Sequence, residues 1–442
     1  MTATVPLAAW LSANRAAPVA IRHGKIISQQ QLRQDVQTLC CWLSLRQELR
    51  WALCFEQSYD FLVALLATLH SGKVPVIPGH LRPALLNEQR ASFDAVLSDI
   101  PLALEVFCQQ LPLAVQQSDG KLPVIMPDAT LILFTSGSTG APREVVKPVA
   151  CLDEEIRWLS QAWGERLRNL TVISSVSHQH LYGLTFRIML PMALGLTFHS
   201  DQIAFSEQLS ALARARRYLL VSSPAFLRRL DSQLSAPPCA LVVSAGGELC
   251  AGDAALAADW LGVAIDEIYG SSETGIIATR RSDGRNVLWQ PFAPVRFSPA
   301  PDGRWRVQSP LIASADGMLL DDRLHFDGEG FSLAGRYDRI VKIEDKRVSL
   351  SDVERRLMTL PGVHDAAVLV LKREGRSVVG AVLVIDPSAA GEFNGLRWRQ
   401  ALRPWLEPVA IPRYWRTVDA IPLNSQSKRD WHQLEELFNA AR

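Results

Sequence analysis

Short apolar runs recur through the first 270 residues: Trp51 to Phe55, Val74 to Ile77, Ala95 to Leu97, Leu131 to Phe134, Thr171 to Ser174, Tyr218 to Ser222, Leu241 to Ser244 and Ala264 to Ile268. Most are closed by Gly, Ser, Pro or His, as in Pro78-Gly79 and Ser98-Asp99. Runs of this length bounded by turn residues read as strands buried on both faces. Stretches with helical periodicity, Gln30 to Arg46 and Tyr59 to Ser71, stand between the first of them. Strand, helix and strand in succession predict a parallel βαβ sheet, because parallel neighbours need a crossover of a dozen residues or more. Open sheets of this kind take their ligands beyond the carboxyl ends of the strands, so the small polar residues there mark where chemistry belongs.

A chain of 442 residues exceeds a single core of ordinary size and predicts two or more domains. The texture changes at Phe297 to shorter β-like pieces with turns at Pro301-Asp302-Gly303 and Asp327-Gly328. Beyond Arg336 comes a compact stretch with strands at Ala366 to Leu371 and Val378 to Ile385, so a domain boundary is expected near Gly335 to Asp338. With 46 Lys plus Arg against 45 Asp plus Glu, the chain has no general charge for neutralising nucleic-acid phosphates. Arg214-Ala215-Arg216-Arg217 and Arg228-Arg229 therefore read as solvated faces rather than a nucleic-acid surface. Seven scattered cysteines, never spaced as CxxC, predict neither a disulfide framework nor a zinc ribbon and fit a reducing cytoplasm. The longest apolar runs, Phe61 to Leu69 and Val378 to Ile385, are too short to span a bilayer, and Met1 to Pro18 lacks a signal-peptide pattern, so no membrane anchor is expected.

The sharpest motif is the apolar Leu131 to Phe134 running into Thr135, Ser136, Gly137, Ser138, Thr139 and Gly140, then Ala141-Pro142-Arg143. Hydroxyls and glycines after a buried strand can aim several N–H and O–H groups at one anion. The loop reads as a phosphate cradle, and it is not a Walker loop, since GxxxxGK[ST] is absent. His178-Gln179-His180 places two imidazoles on one strand face, but no further metal ligands stand at suitable spacing, so zinc is not expected. Neither a GxSxG elbow nor an early GxGxxG is present.

These residues resemble the adenylate-forming superfamily of acyl-CoA synthetases, peptide-synthetase adenylation domains and luciferases, from about Ser58 to Lys428. The resemblance implies an α/β fold with a large N-terminal domain of stacked β-sheets and helices between and around them, residues 1–334. It also implies a hinge at 335–338 and a small, mobile α+β C-terminal domain at 339–442. Thr135 to Gly140 is similar to the loop that holds the β- and γ-phosphates of ATP, with Arg143 in place of the usual lysine. Ser244-Ala245-Gly246-Gly247-Glu248-Leu249 resembles the segment lying against adenine. Tyr269-Gly270-Ser271-Ser272-Glu273-Thr274-Gly275 resembles the one in which an aromatic ring stacks on adenine and the glutamate holds Mg2+. Asp322 is implied at the ribose hydroxyls, Arg336 at ribose or phosphate, Asp338 as the pivot, and His180 beside the acid's carboxylate. Lys428, in Pro422 to Lys428, is implied to bind that carboxylate and the α-phosphate bridging oxygen.

The implied reaction joins a carboxylic acid to AMP with ATP and Mg2+, then passes the acyl group to the thiol of coenzyme A or an acyl carrier protein. An aromatic acid is the first expectation and a medium-chain fatty acid the second. Ser427 and Asp345 stand where the family has glycines, which motivates an alternative, a nucleotide-binding regulatory protein that has lost turnover; Glu273 and Lys428 speak against it. Between Gly395 and Arg429 lie seven basic and two acidic residues, interleaved with Trp398, Trp405, Tyr414 and Trp415. Such a stretch is either a docking face for an acidic carrier protein or a solvated surface with tryptophans in the core.

Overall fold

The computed structural model describes residues 4–113, 120–136, 142–282, 287–337, 339–343, 346–373, 376–386, 395–403, 405–424 and 428–439. Gly137, Ser138, Thr139, Gly140, Asp338, Asp345 and Ser427 lie outside them, and Ser136 is described only as the end of its strand. The chain forms two compact units, one of residues 1–295 and 309–315, the other of 296–308 and 316–442.

Among the described residues the large unit carries two sheets. In a six-stranded sheet, Arg50–Cys54 lies between Val74–Ile77 and Ala95–Ser98, all parallel, and Phe107–Gln110 and Thr130–Ser136 extend it on either side. Pro142–Pro148 closes one edge antiparallel to Thr130–Ser136. A nine-stranded sheet holds Leu170–Ser174, Arg217–Ser222, Cys239–Ser244 and Ile265–Ser271 as parallel neighbours, with Gly275–Ser282 returning antiparallel. The apolar runs thus become strands within a residue or two of their expected places, the last one extending to Ser271.

Helix Ser58–His70 is buried along almost its whole length. It packs on Arg50–Cys54 and Val74–Ile77 and against the π-helical turn Leu184–Met189 that follows the other sheet, so it lies between the two. A helix apolar all round is what such a position requires. Helix Val149–Trp163 instead turns Leu152, Ile156, Leu159 and Trp163 inward and exposes its opposite side. Asp153 on this helix accepts a hydrogen bond from the Leu7 N–H at 2.9 Å. Burial pushes the Asp153 carboxyl up to about 6 from 3.8. The folded state therefore holds this proton more tightly than the unfolded chain does. That contribution to stability is complete below about pH 4 and is lost as the pH rises through about 6. Asp153→Asn is expected to stabilise the protein by about 1 to 2 kcal/mol at pH 7.5, after allowance for partial exposure, with no gain near pH 4. Denaturant midpoints at the two pH values measure this.

The small unit is built from antiparallel pieces. Arg296–Pro299, Trp305–Gln308 and Met318–Leu319 form one sheet, and Asp322–Asp327 pairs with Gly330–Arg336. Val363–Arg373 and Arg376–Ile385 form a long hairpin that Tyr414–Thr417 joins in parallel. Helices Leu350–Leu357 and Gly395–Leu402 contribute Leu350, Val353, Leu357 and Leu402 to one core cluster with this sheet. Ile421, Leu434 and Phe438 contribute to a second. Among the described residues no helix is long and apolar enough to cross a membrane.

Candidate active site

In the large unit the motif residues gather at the carboxyl ends of the strands. Thr135, on the strand entering the hydroxyl and glycine loop, donates through Oγ1 to Glu273 Oε1 at 3.3 Å. Residues 138 positions apart in sequence are thereby brought together. Glu273 sits in a tight turn that closes on itself: the Ser271 N–H donates to Thr274 Oγ1 at 2.9 Å and the Thr274 N–H to Ser271 Oγ at 3.2 Å. Ser272 is half-buried in the same turn.

Tyr269 packs against Trp289 with ring centroids 5.7 Å apart. Arg280 lies over the other ring of this pair, 4.5 Å from the Trp289 centroid, and is held by both oxygens of the buried Glu267 at 2.7 and 3.0 Å. Gly246, after strand Cys239–Ser244, has φ +88°, a conformation that side chains resist, and no atom lies within 4 Å of where a Cβ would be. Gly246, Gly247 and Glu248 are exposed, and the Glu248 carbonyl accepts from Arg228 at 3.0 Å.

His180 caps the short helix Leu181–Gly183 with extended backbone. Two residues on, the Tyr182 hydroxyl lies 2.9 Å from the carbonyls of both Ser222 and Val243, which ties this loop to the ends of two neighbouring strands. His178 is fully buried, 3.0 Å from Ser58 Oγ through Nδ1 and packed on Phe61, and burial holds its pKa well below 6.5. It is a packed core histidine. Among the described residues no three His, Cys, Asp or Glu side chains gather as a metal site.

In the small unit Asp322 and Arg336 are cross-strand partners, with Arg336 Nη1 3.7 Å from Asp322 Oδ1 and Nη2 3.6 Å from Asp321 Oδ2. Lys428 is exposed on a turn. Its N–H donates to Asn424 Oδ1 at 3.1 Å and its carbonyl accepts from the Asn424 N–H at 2.7 Å. The next residue anchors that turn: Arg429 reaches Glu354 Oε1 at 2.8 Å and Asp365 Oδ1 at 2.9 Å. The same Glu354 oxygen accepts from Arg339 at 2.7 Å and from the Val368 N–H at 2.7 Å.

A family model described as AMP-binding enzyme matches residues 109–293. The 4-coumarate–CoA ligase of Halorhodospira halophila is 30% identical over 335 residues, covering 70% of this chain and 78% of that protein. The chain belongs to the AMP-binding, adenylate-forming superfamily. The 4-coumarate–CoA ligase of Rhodobacter capsulatus is 29% identical over 310 residues, covering 69% of this chain and 76% of that one. The fold of ATP-bound MatB from Rhodopseudomonas palustris matches with a TM-score of 0.83 at 20% identity, over 99% of each chain. As an adenylate-forming ligase, the protein joins a carboxylic acid to AMP with ATP as the nucleotide substrate.

Within this superfamily frame, the motifs did not point to Lys147, Glu155 or Trp289, all of which stand against the Tyr269 to Gly275 segment. A signal was available for two of them. Lys147 stands two residues from the buried Val145 and so shares its face of the strand, and Glu155 falls on the apolar side of helix Val149–Trp163. A charged residue on a buried face needs a partner.

Proposed function

We propose that the protein activates an aromatic carboxylic acid as its acyl-adenylate and passes the acyl group to a pantetheine thiol. The 3.3 Å contact of Thr135 with Glu273 carries this reading, because it joins a phosphate loop to a carboxylate suited to a triphosphate-bound cation. Glu273, beside Thr135, would offer one carboxylate to a hard cation and leave its other positions to phosphate and water, a donor set that fits Mg2+. Bound there, Mg2+ supplies charge neutralisation at the leaving pyrophosphate.

In this reading Thr135, Ser136, Gly137, Ser138, Thr139 and Gly140, with Arg143, hold the β- and γ-phosphates. Tyr269, backed by Trp289, stacks on adenine, and Gly246, Gly247 and Glu248 line its edge beside Ser272. Asp322 and Arg336 hold ribose. His180 orients the acid so that its carboxylate oxygen attacks the α-phosphorus; the bond to the bridging oxygen breaks and pyrophosphate leaves. Lys428 holds the two negative charges together during that step. Rotation about Asp338 then exchanges Lys428 for another face of the small unit. A thiolate attacks the acyl carbon and AMP departs.

The relatives named as 4-coumarate–CoA ligases support an aromatic acid and coenzyme A. A carrier protein is supported by the arginines. Arg397, Arg399, Arg403 and Arg413 are exposed, as is Trp405, 61% exposed with Arg356 4.7 Å over its ring. Trp398 and Trp415 instead pack against the core. Pyrophosphate exchange with a panel of hydroxycinnamic, hydroxybenzoic and medium-chain fatty acids tests the first half-reaction; silence with every acid would overturn it. The charge reversal Arg397→Glu with Arg399→Glu is expected to leave exchange unchanged and to slow loading of a pantetheinylated carrier protein about tenfold or more. Equal rates of carrier loading would remove these arginines as a docking face for the carrier.

A further inference from the structure

The turn that presents Glu273 is gripped from behind by two buried charges of opposite sign. Lys147 is 3% exposed, and its Nζ donates to the Glu273 carbonyl at 3.2 Å and to the Leu311 carbonyl at 3.3 Å. Glu155 is 2% exposed; Oε1 accepts from the Ile276 N–H at 2.8 Å and Oε2 from the Thr185 hydroxyl at 2.7 Å. One charge therefore fixes the turn at Glu273 and the other fixes the strand that leaves it. Between them stands Gly275, at φ +68°, where a Cβ would come within 2.9 Å of Leu311 Cδ1 and 3.0 Å of Glu155 Oε1.

Both charges belong to one continuous piece of chain. Lys147 lies on strand Pro142–Pro148, which leaves the phosphate loop, and Glu155 lies on helix Val149–Trp163, which follows without a break. Burial pulls the Lys147 pKa down and pushes that of Glu155 up, while each opposes the other's shift. Stability alone gives no reason for such a pair, since apolar side chains of equal volume fill a core at least as well. One bond from each charge goes to the backbone at or just after the acidic turn, at Glu273 and at Ile276, and that indicates a positional role.

We infer that Lys147 and Glu155 are positioning residues that hold the Glu273 carboxylate against Thr135, where the strand Thr130–Ser136 ends. The inference rests on the reading of Glu273 as the residue facing the nucleotide's cation. Outer-layer partners of this kind are worth about 10- to 100-fold in metal affinity or activity.

The test uses Lys147→Met, and Lys147→Met with Glu155→Gln, which removes both charges and so leaves neither ion unpaired if the single change fails to fold. Calorimetry with α,β-methylene-ATP is run with Mg2+ and with EDTA, beside thermal unfolding and pyrophosphate exchange. The folded variant is expected to bind the analogue in EDTA as wild type does, to lose about tenfold or more of the gain that Mg2+ confers, and to lower kcat with the KM for the acid unchanged. A full Mg2+ gain in the folded double variant would overturn the inference. So would an equal loss of affinity with and without Mg2+, the mark of a merely structural role. If wild type itself gains nothing from Mg2+, the reading of Glu273 fails and the inference with it.

Discussion

Replacing Lys428 with alanine is expected to lower acid-dependent pyrophosphate exchange by about 100- to 1000-fold, the usual loss when a charge-stabilising donor is removed from a reaction centre. The carboxylate must approach a triphosphate, and two like charges a few ångströms apart repel strongly unless a cation stands between them. Lys428 is exposed, and its backbone is held by Asn424 and beside it by the Arg429 anchor, so the substitution is expected to cost little stability. The thermal midpoint should stay at the wild-type value. Thiol attack on a chemically supplied acyl-adenylate should also proceed normally, because that step expels AMP and needs no charge at the pyrophosphate. Equal damage to both half-reactions would contradict the role, and so would undiminished exchange.

Glu354→Ala carries the second large effect. One oxygen of Glu354 takes hydrogen bonds from Arg339, Arg429 and the Val368 N–H, and the side chain is only 15% exposed. Its loss leaves two guanidinium groups without that carboxylate, at a cost of about 2 to 4 kcal/mol. Arg339 follows Asp338, the proposed hinge, and Arg429 follows Lys428, so the same carboxylate ties the neighbour of the one to the neighbour of the other. Adenylation measured well below the melting point should therefore fall about tenfold or more, beyond what the loss of stability explains. Glu354→Gln, which keeps an acceptor oxygen, should fall between the two. If exchange tracks only the folded fraction, Glu354 is a structural group and no more.

Lys147 and Lys428 show why the site was only partly legible in the chain. Lys428 ends a recognisable motif, so its place was readable even though an isolated surface lysine says nothing. Lys147 belongs to no motif, and its partners Glu273 and Leu311 are 126 and 164 positions away. The tryptophans divide in the same way. The interleaved run of residues 395–429 could not tell Trp398, which packs on Trp415 at 5.8 Å, from Trp405, which faces solvent beneath Arg356. That choice depends on the tertiary packing of helix Gly395–Leu402, which carries Trp398, and of the turn after it, which carries Trp405.

The sequence by itself determined the strands, because a run of apolar residues closed by Gly, Ser or Pro has few other ways to bury itself. It also determined the family, because Thr135 to Gly140, Tyr269 to Gly275, Gly335 to Asp338 and Pro422 to Lys428 stand in order along one chain. Only the tertiary structure decided which charges are buried and what they hold. Lys147 on Glu273, Glu155 on Ile276 and Glu354 between two arginines are long-range pairings. Local pattern reports the side of an element that is buried. It does not report which distant backbone group waits there.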